Sequence, residues 1–393
     1  MGTLHLICTF PIRRLPNDEI VLTRKYVDAV ARFAAGWSGG VVVVAPIGDA
    51  SGTGNLDDVV FGKGELPFNV RWMPKNFPAT WDGVLRNDVV LIAPCGDTDL
   101  EVAREARRRG AAVVFVLEYT PAVRTELARL HTGWFAWAKR SLWAKAFEKR
   151  CLSEFRFAAG LQCNGAATYE QYRNRSWSTM MFFDNRVGAE LIVEDMALRH
   201  RLERMIHGSP LRLVFSGRLL DIKGVPDLVE VSDLLRARGV AFEMDIFGDG
   251  PMRSAMARDI AGRGLSDQVR LRGCLDFASE LMPTIAKSAD IFVCCHLQGD
   301  PSCTYVETMA CGVPIIGYAN SAWKALATAS DAGWVTPTRN PLKMATRICA
   351  LAQDRLEIER ASWNARSFAV QHRFAETMGA RLRHLKSCTT SAT

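Results

Sequence analysis

The chain has 393 residues, 48% hydrophobic and 23% charged, the balance of a sequence that folds around packed cores; disorder, a collagen repeat and a disulfide-stapled miniprotein are excluded. One hydrophobic core serves roughly 250 to 300 residues, so two domains with a cleft between them are expected. Forty-nine Lys and Arg against 42 Asp and Glu leave a formal charge of +7, which points to an anionic partner: a phosphorylated small molecule, an acidic membrane surface or a nucleic acid.

The chain opens with a short apolar run ahead of Arg13 and Arg14, with no basic region before it, which reads as a first strand and not as a signal peptide. No stretch reaches the roughly 20 uninterrupted apolar residues that span a bilayer, so any membrane contact is expected to be peripheral. The 11 cysteines form no CxxC pair. Several, including Cys163, Cys274, Cys294 and Cys295, lie in apolar runs and read as reduced core residues of a cytoplasmic protein.

In chain order, apolar and β-branched runs predict strands at 4–8, 40–45, 88–93, 111–117, 211–216, 242–247, 291–295 and 313–317. Helical stretches are expected at 24–35, 100–109, 226–238 and 252–263. Strands apolar on both faces and alternating with helices mean parallel sheets covered on two sides. The pattern occurs once before residue 185 and again after 210. The expected organisation is an N-terminal Rossmann-like domain (1–185), a charged linker (186–210) ending in the breakers Gly208-Ser209-Pro210, a second Rossmann-like domain (211–370) and a helical tail (371–393).

Three segments carry chemistry. The strand 211–216 runs into Gly217-Arg218-Leu219, then Lys223-Gly224: glycines where a backbone can approach a ligand, and two cations at the carboxyl end of a parallel strand. That suits a diphosphate, and equally a solvated basic loop. Gly248-Asp249-Gly250-Pro251 forms the next strand-to-helix turn. The third segment, QGDPSCTYVETMACGVPIIG (298–317), sets the small-residue loop Ser302-Cys303-Thr304 before a helix expected from about Thr304, with Glu307 one turn in. N–H groups of a first helical turn attract an anion, and a carboxylate there either accepts vicinal hydroxyls or complements the helix dipole.

GRLxxxKG, GDGP and the loop with Glu307 before ACGVP, in this order, resemble the C-terminal half of GT-B glycosyltransferases of family 4. The resemblance implies two Rossmann-like doubly wound α/β domains facing a cleft, and a retaining transfer of sugar from a nucleotide-sugar donor, a UDP- or GDP-sugar, to a glycan or lipid-linked acceptor. It implies Arg218 and Lys223 on the diphosphate as the catalytic cations, backbone N–H groups of Cys303, Thr304 and Tyr305 on phosphate beside Ser302, and Glu307 on the ribose. Gly217, Gly248 and Gly250 would line the donor site, with the base near Cys274 and Leu275. The family places a second glutamate eight positions upstream of Glu307; here that position is Gly299, which leaves the contact with the donor sugar to Asp300 or to backbone groups and leaves the identity of that sugar open.

In the N-terminal half, Arg13, Arg14 and Glu118 are expected on the carboxyl-end rim of the sheet, Glu118 to orient an acceptor or touch the sugar, though solvent and capping roles fit them too. Asn17 and Asp18 read equally as turn and cap residues, and Asn164-Gly165 as a turn, with a ligand role the less favoured reading. Asp97 and Asp99 have the spacing of a metal-binding carboxylate pair but lie outside the donor half, and neither metal nor cofactor is expected. HTGWFAWAKRSLWAKAFEKR (131–150) holds three Trp among five Lys and Arg, the composition of a helix at a membrane interface, and peripheral contact with an anionic membrane is expected through 134–150. On a helical wheel Lys145 falls beside Trp134 and Trp143 opposite, so the faces do not separate cleanly and a packed helix is the competing reading. The basic residues are interspersed with acids, which sets nucleic acid aside. The rivals to a transferase are a GT-B epimerase or hydrolase and a nucleotide-sugar binding subunit.

Overall fold

The structure is a computed structural model that describes residues 1–48, 58–62, 64–74, 76–79, 81, 83–130 and 134–390, the side chains of 127–130, 134, 135 and 390 excepted. The chain divides into two compact units, Met1–Phe182 together with the chain from Ala375 on, and Phe183–Phe374.

The first unit is built on a seven-stranded sheet in the spatial order Thr179–Phe182, Gly160–Asn164, Ala112–Leu117, Val89–Ile92, Leu4–Ile7, Val41–Ala45, Asn69–Trp72, every neighbouring pair parallel. The central strands LHLI, VVVVA and VVLI are buried on both faces, as a sheet flanked by helices requires. A separate four-stranded sheet, missed in the sequence, joins Ile47–Gly48, Ile12–Arg14, Ile20–Thr23 and Asp58–Phe61. Its strands are two to four residues long, too short for alternation to register.

The second unit holds a six-stranded parallel sheet, ordered Val269–Gly273, Phe242–Phe247, Leu211–Ser216, Ile291–Cys294, Ile315–Tyr318, Gly333–Thr336. The strand order reverses beside Leu211–Ser216, where open α/β sheets take their ligands at the carboxyl ends. Local chemistry sets the helix starts: Thr23 Oγ1 accepts from Tyr26 N–H, and the Asn320 and Asn340 side chains accept from Trp323 and Lys343 N–H.

The domain boundaries differ from those expected. Residues 186–210 are no free linker. They contain the helix Asp195–Ile206, whose Leu198, Leu202 and Met205 are buried while Arg201, also buried, donates to the carbonyls of Ala286 and Cys311 at 2.7 and 2.8 Å. Buried positions four and three apart form one apolar face that the surrounding charges masked. The expected tail, 371–393, follows the second unit's helix Arg355–Gln371 and holds the helix Phe374–Thr390, which returns to the first unit, where Arg381 Nε donates to Gln162 Oε1 at 2.8 Å and Leu385 and Cys388 are buried. All the cysteines are free, but Cys95 and Cys274 are exposed and Cys303 and Cys349 half-buried. Cys274 follows the last residue of its strand, so it sits on the rim and not in the core.

Candidate functional site

Three loops of the second unit meet at the carboxyl edge of its sheet. Gly217 N–H donates to Phe247 O, Leu219 N–H to Asp249 O and Met252 N–H to Leu219 O, which ties the basic loop to the GDGP turn. The approach is too close for side chains: a Cβ on Gly248 would lie 1.9 Å from Gly217 O, and one on Gly250 2.6 Å from Leu219 O. Gly224 (φ 63°), which closes the turn Asp221–Lys223, would meet Cys295 O at 2.0 Å, and Leu297 N–H donates to Ile222 O at 3.1 Å. That pins the basic loop to the third segment. These glycines are there because backbone packs on backbone.

The fold thus brings Gly217, Arg218, Lys223, Gly248, Gly250 and residues 298–307 to one edge. Arg218 is exposed and makes no ion pair among the described residues. Lys223 Nζ lies 3.7 Å from Asp300 Oδ2, so the cation expected on a diphosphate and the carboxylate expected on a sugar stand as one half-buried pair. Asp300 Oδ1 is buried with no hydrogen-bond partner among the described residues.

Cys274 and Leu275 follow the strand Val269–Gly273, exposed and half-buried respectively. The helix begins at Thr304 as expected and is seven residues long. Not all the anticipated phosphate donors are open. Tyr305 N–H donates to Ser302 O at 3.2 Å and Ser302 N–H to Asp300 O at 2.9 Å, because the loop closes on itself before the helix starts. The Tyr305 side chain is core, its hydroxyl 3.3 Å from Asn320 Nδ2. Glu307 is 6% exposed, and its Oε1 accepts from Arg186 Nε at 3.0 Å. Arg186, expected in a linker, is a member of the site.

His296 was also missed. It is 1% exposed, packs against Phe215 and Tyr305, and neither ring nitrogen has a partner among the described residues. Burial, aided by the nearby Lys223 charge, pushes its pKa well down and holds it neutral. Its only sequence signal was a polar residue at the end of an otherwise apolar strand.

In the first unit the expected groups are mostly committed. Arg14 is paired with Asp18, whose φ of 62° confirms the turn. Arg13 is half-buried. Asp97 pairs with Arg150 at 2.7 Å, and Asp99 accepts the N–H groups of Cys95 and Gly96 at 2.8 and 2.9 Å, so these two carboxylates hold a helix start together. Glu118 is exposed at the end of its strand, and Gly165, at φ 84°, starts the helix Ala166–Tyr172 after the buried Asn164.

This architecture is the GT-B fold. The chain is similar over 98% of its length, and 100% of the other's, to Anabaena HepE solved with UDP (TM-score 0.65, 13% identity). It is similar over the full length of both chains to a sucrose-phosphate synthase from Thermosynechococcus elongatus (TM-score 0.67, 13% identity). Residues 210–354 match the family model of glycosyl transferases group 1, and this segment is such a domain. Relatives in sequence include the putative colanic acid biosynthesis glycosyltransferase WcaL of Salmonella typhimurium, 26% identical over 37% of each chain, and the amylovoran biosynthesis glycosyltransferase AmsK of Erwinia amylovora, 27% identical over 44% of this chain and 42% of its own. The matched stretch spans about two fifths of these relatives' length.

Proposed function

We propose that this protein is a hexosyltransferase-type glycosyltransferase that moves a sugar from a UDP- or GDP-sugar to an acceptor hydroxyl with retention, on a lipid-linked or polysaccharide precursor in cell-surface glycan synthesis. The observation that carries the reading is the joined edge at Gly217, Lys223, Gly248 and Asp300 within the segment that matches group 1 glycosyl transferases. Relatives named for colanic acid and amylovoran biosynthesis support the pathway class.

In this mechanism the leaving diphosphate is stabilised by Arg218 and Lys223, the first free to swing in and the second pre-placed by Asp300. Glu307 holds the ribose, Asp300 addresses the transferred sugar from beside the position where Gly299 replaces a glutamate, and Glu118 serves the acceptor. The two cations do the work of a metal, so turnover is expected to persist in EDTA.

A thermal-shift screen with UDP, GDP, ADP and their sugars tests the donor; a stabilisation of about 2.7 kcal/mol is expected at 100-fold excess over Kd. Asp300→Ala is expected to impair transfer more than nucleotide binding, and equal loss of both removes Asp300 from the sugar. Gly299 also motivates a second reading, a nucleotide-sugar binding subunit. It predicts binding with no transfer to any acceptor in a membrane extract.

The proposed site of action is the cytoplasmic face of the cell membrane. On the helix Trp134–Phe155, Lys139, Arg140, Leu142, Trp143, Lys145 and Lys149 are exposed, whereas Glu148 and Glu154 are buried. The solvent side of its described residues from 136 to 150 is thus apolar and basic, suited to acidic headgroups. Residues 131–133 and the side chain of Trp134 lie outside the described residues. Among those described, no helix is long and apolar enough to cross a membrane. Co-sedimentation with anionic vesicles at low salt is expected, and its failure ends this part of the proposal.

A further inference from the structure

Arg186 lies outside every motif that marks the donor segment, yet it touches two of that segment's parts. Its Nε donates to Glu307 Oε1 at 3.0 Å, and its guanidinium carbon stands 3.8 Å from the centre of the Phe277 ring, three residues past Cys274. Asp276, next to that ring, has its carboxyl held below the usual range, first by hydrogen bonds from Ser279 and in smaller part by the Arg186 charge. One cation therefore joins the carboxylate expected on ribose to the loop where the base is expected.

A carboxylate as buried as Glu307 needs a countercharge, and a lysine would supply it. Arginine adds a plane. Stacking on Phe277 fixes the guanidinium, whose directed N–H then fixes one carboxylate oxygen and leaves further lone pairs of Glu307 in set directions. That is the requirement for reading a pair of vicinal hydroxyls, whose recognition depends on direction more than on charge.

We propose that Arg186 is the positioning residue of a ribose subsite, stacked on Phe277 and holding Glu307 so that the site selects ribonucleotides over deoxyribonucleotides; this rests on the nucleotide-sugar reading above. Arg186 does not itself touch the sugar being transferred. Replacing it leaves the phosphate contacts of Arg218 and Lys223 in place.

The test is calorimetric binding of UDP and GDP, their 2′-deoxy counterparts and the monophosphates UMP and GMP to the full chain. The wild type is expected to prefer the ribonucleotide by roughly tenfold, the effect of about one unpaired hydrogen-bonding group. Arg186→Met and Arg186→Lys should both lose most of that preference while keeping the preference for diphosphate over monophosphate. Phe277→Leu, which keeps the ion pair and removes the platform, should lose part of it. Should Arg186→Met fall in Tm yet keep its ribose preference, the residue is structural only and the proposal is overturned. A wild type that binds nucleotides without ribose preference overturns the proposal and leaves the donor reading standing; one that binds no nucleotide at all removes both.

Discussion

The carboxyl-end rims of the two parallel sheets are built by different means. In the Phe183–Phe374 unit the rim is backbone packed on backbone, with Gly248 against Gly217 O and Gly224 against Cys295 O at distances no side chain tolerates. In the Met1–Phe182 unit it is held by side chains: Asp97 on Arg150, Asp99 on two N–H groups, and Arg124 on Glu148. Backbone packing fixes loops to a fraction of an ångström and leaves side chains such as Arg218 free for a ligand. Side-chain pairing spends the charged groups on structure. The two constructions suit the tasks proposed for them, since a nucleotide diphosphate is a constant ligand and acceptors vary.

The comparison breaks first at Gly248. Gly248→Ala places a Cβ against Gly217 O at a φ of 123° and is expected to cost about 3 kcal/mol in chemical denaturation together with nucleotide binding. The matching change on the other rim, Gly96→Ala, meets nothing within 4 Å and should cost at most about 1 kcal/mol through the helix cap. Similar costs at both positions would erase the distinction.

Next in size is the contrast between free and committed arginines. Arg218→Ala should weaken binding of a nucleoside diphosphate roughly tenfold to hundredfold in titration calorimetry, the range of one charge-assisted hydrogen bond. Arg14→Ala, whose guanidinium already serves Asp18, should leave that affinity within about threefold.

The side-chain rim should also respond to pH. Burial pushes the Glu148 carboxyl above its ordinary value, against the opposing pull of Tyr172 and Arg124. A raised folded value means that the stability linked to its proton is complete below pH 4.5 and is lost as pH climbs through the folded value. Thermal unfolding at successive pH should therefore show a downward slope in that window, which Glu148→Gln flattens; an unchanged slope would assign it to other groups. The smallest effect is expected at His296. Its ring nitrogens have no partner among the described residues, so His296→Met should leave Tm unchanged or slightly raised.

The central strands of both parallel sheets and the order of the three loops were legible in the sequence, because a strand buried on two faces reads as an apolar run and a glycine at a rim turn has few other reasons to be there; the edge strands Asn69–Trp72, Thr179–Phe182 and Gly333–Thr336, four residues each and less fully buried, were not. The start of the short helix at Thr304 was read correctly too. The small four-stranded sheet was not, since its strands are too short to show a period. Nor was the helix Asp195–Ile206, whose apolar face lies among charges.

What the sequence determined by itself is therefore the local part: strands, turns, and which residue types arrive at the carboxyl edge of each sheet. Only the tertiary structure decided which of those residues are already spoken for. It paired Lys223 with Asp300, turned the Tyr305 N–H into a loop bond, spent Asp97 and Asp99 on a helix start and brought Arg186 across 121 positions to Glu307. The reason is physical. Periodicity and propensity act over a few residues, whereas a hydrogen bond or an ion pair depends on distances that exist only once the chain has packed.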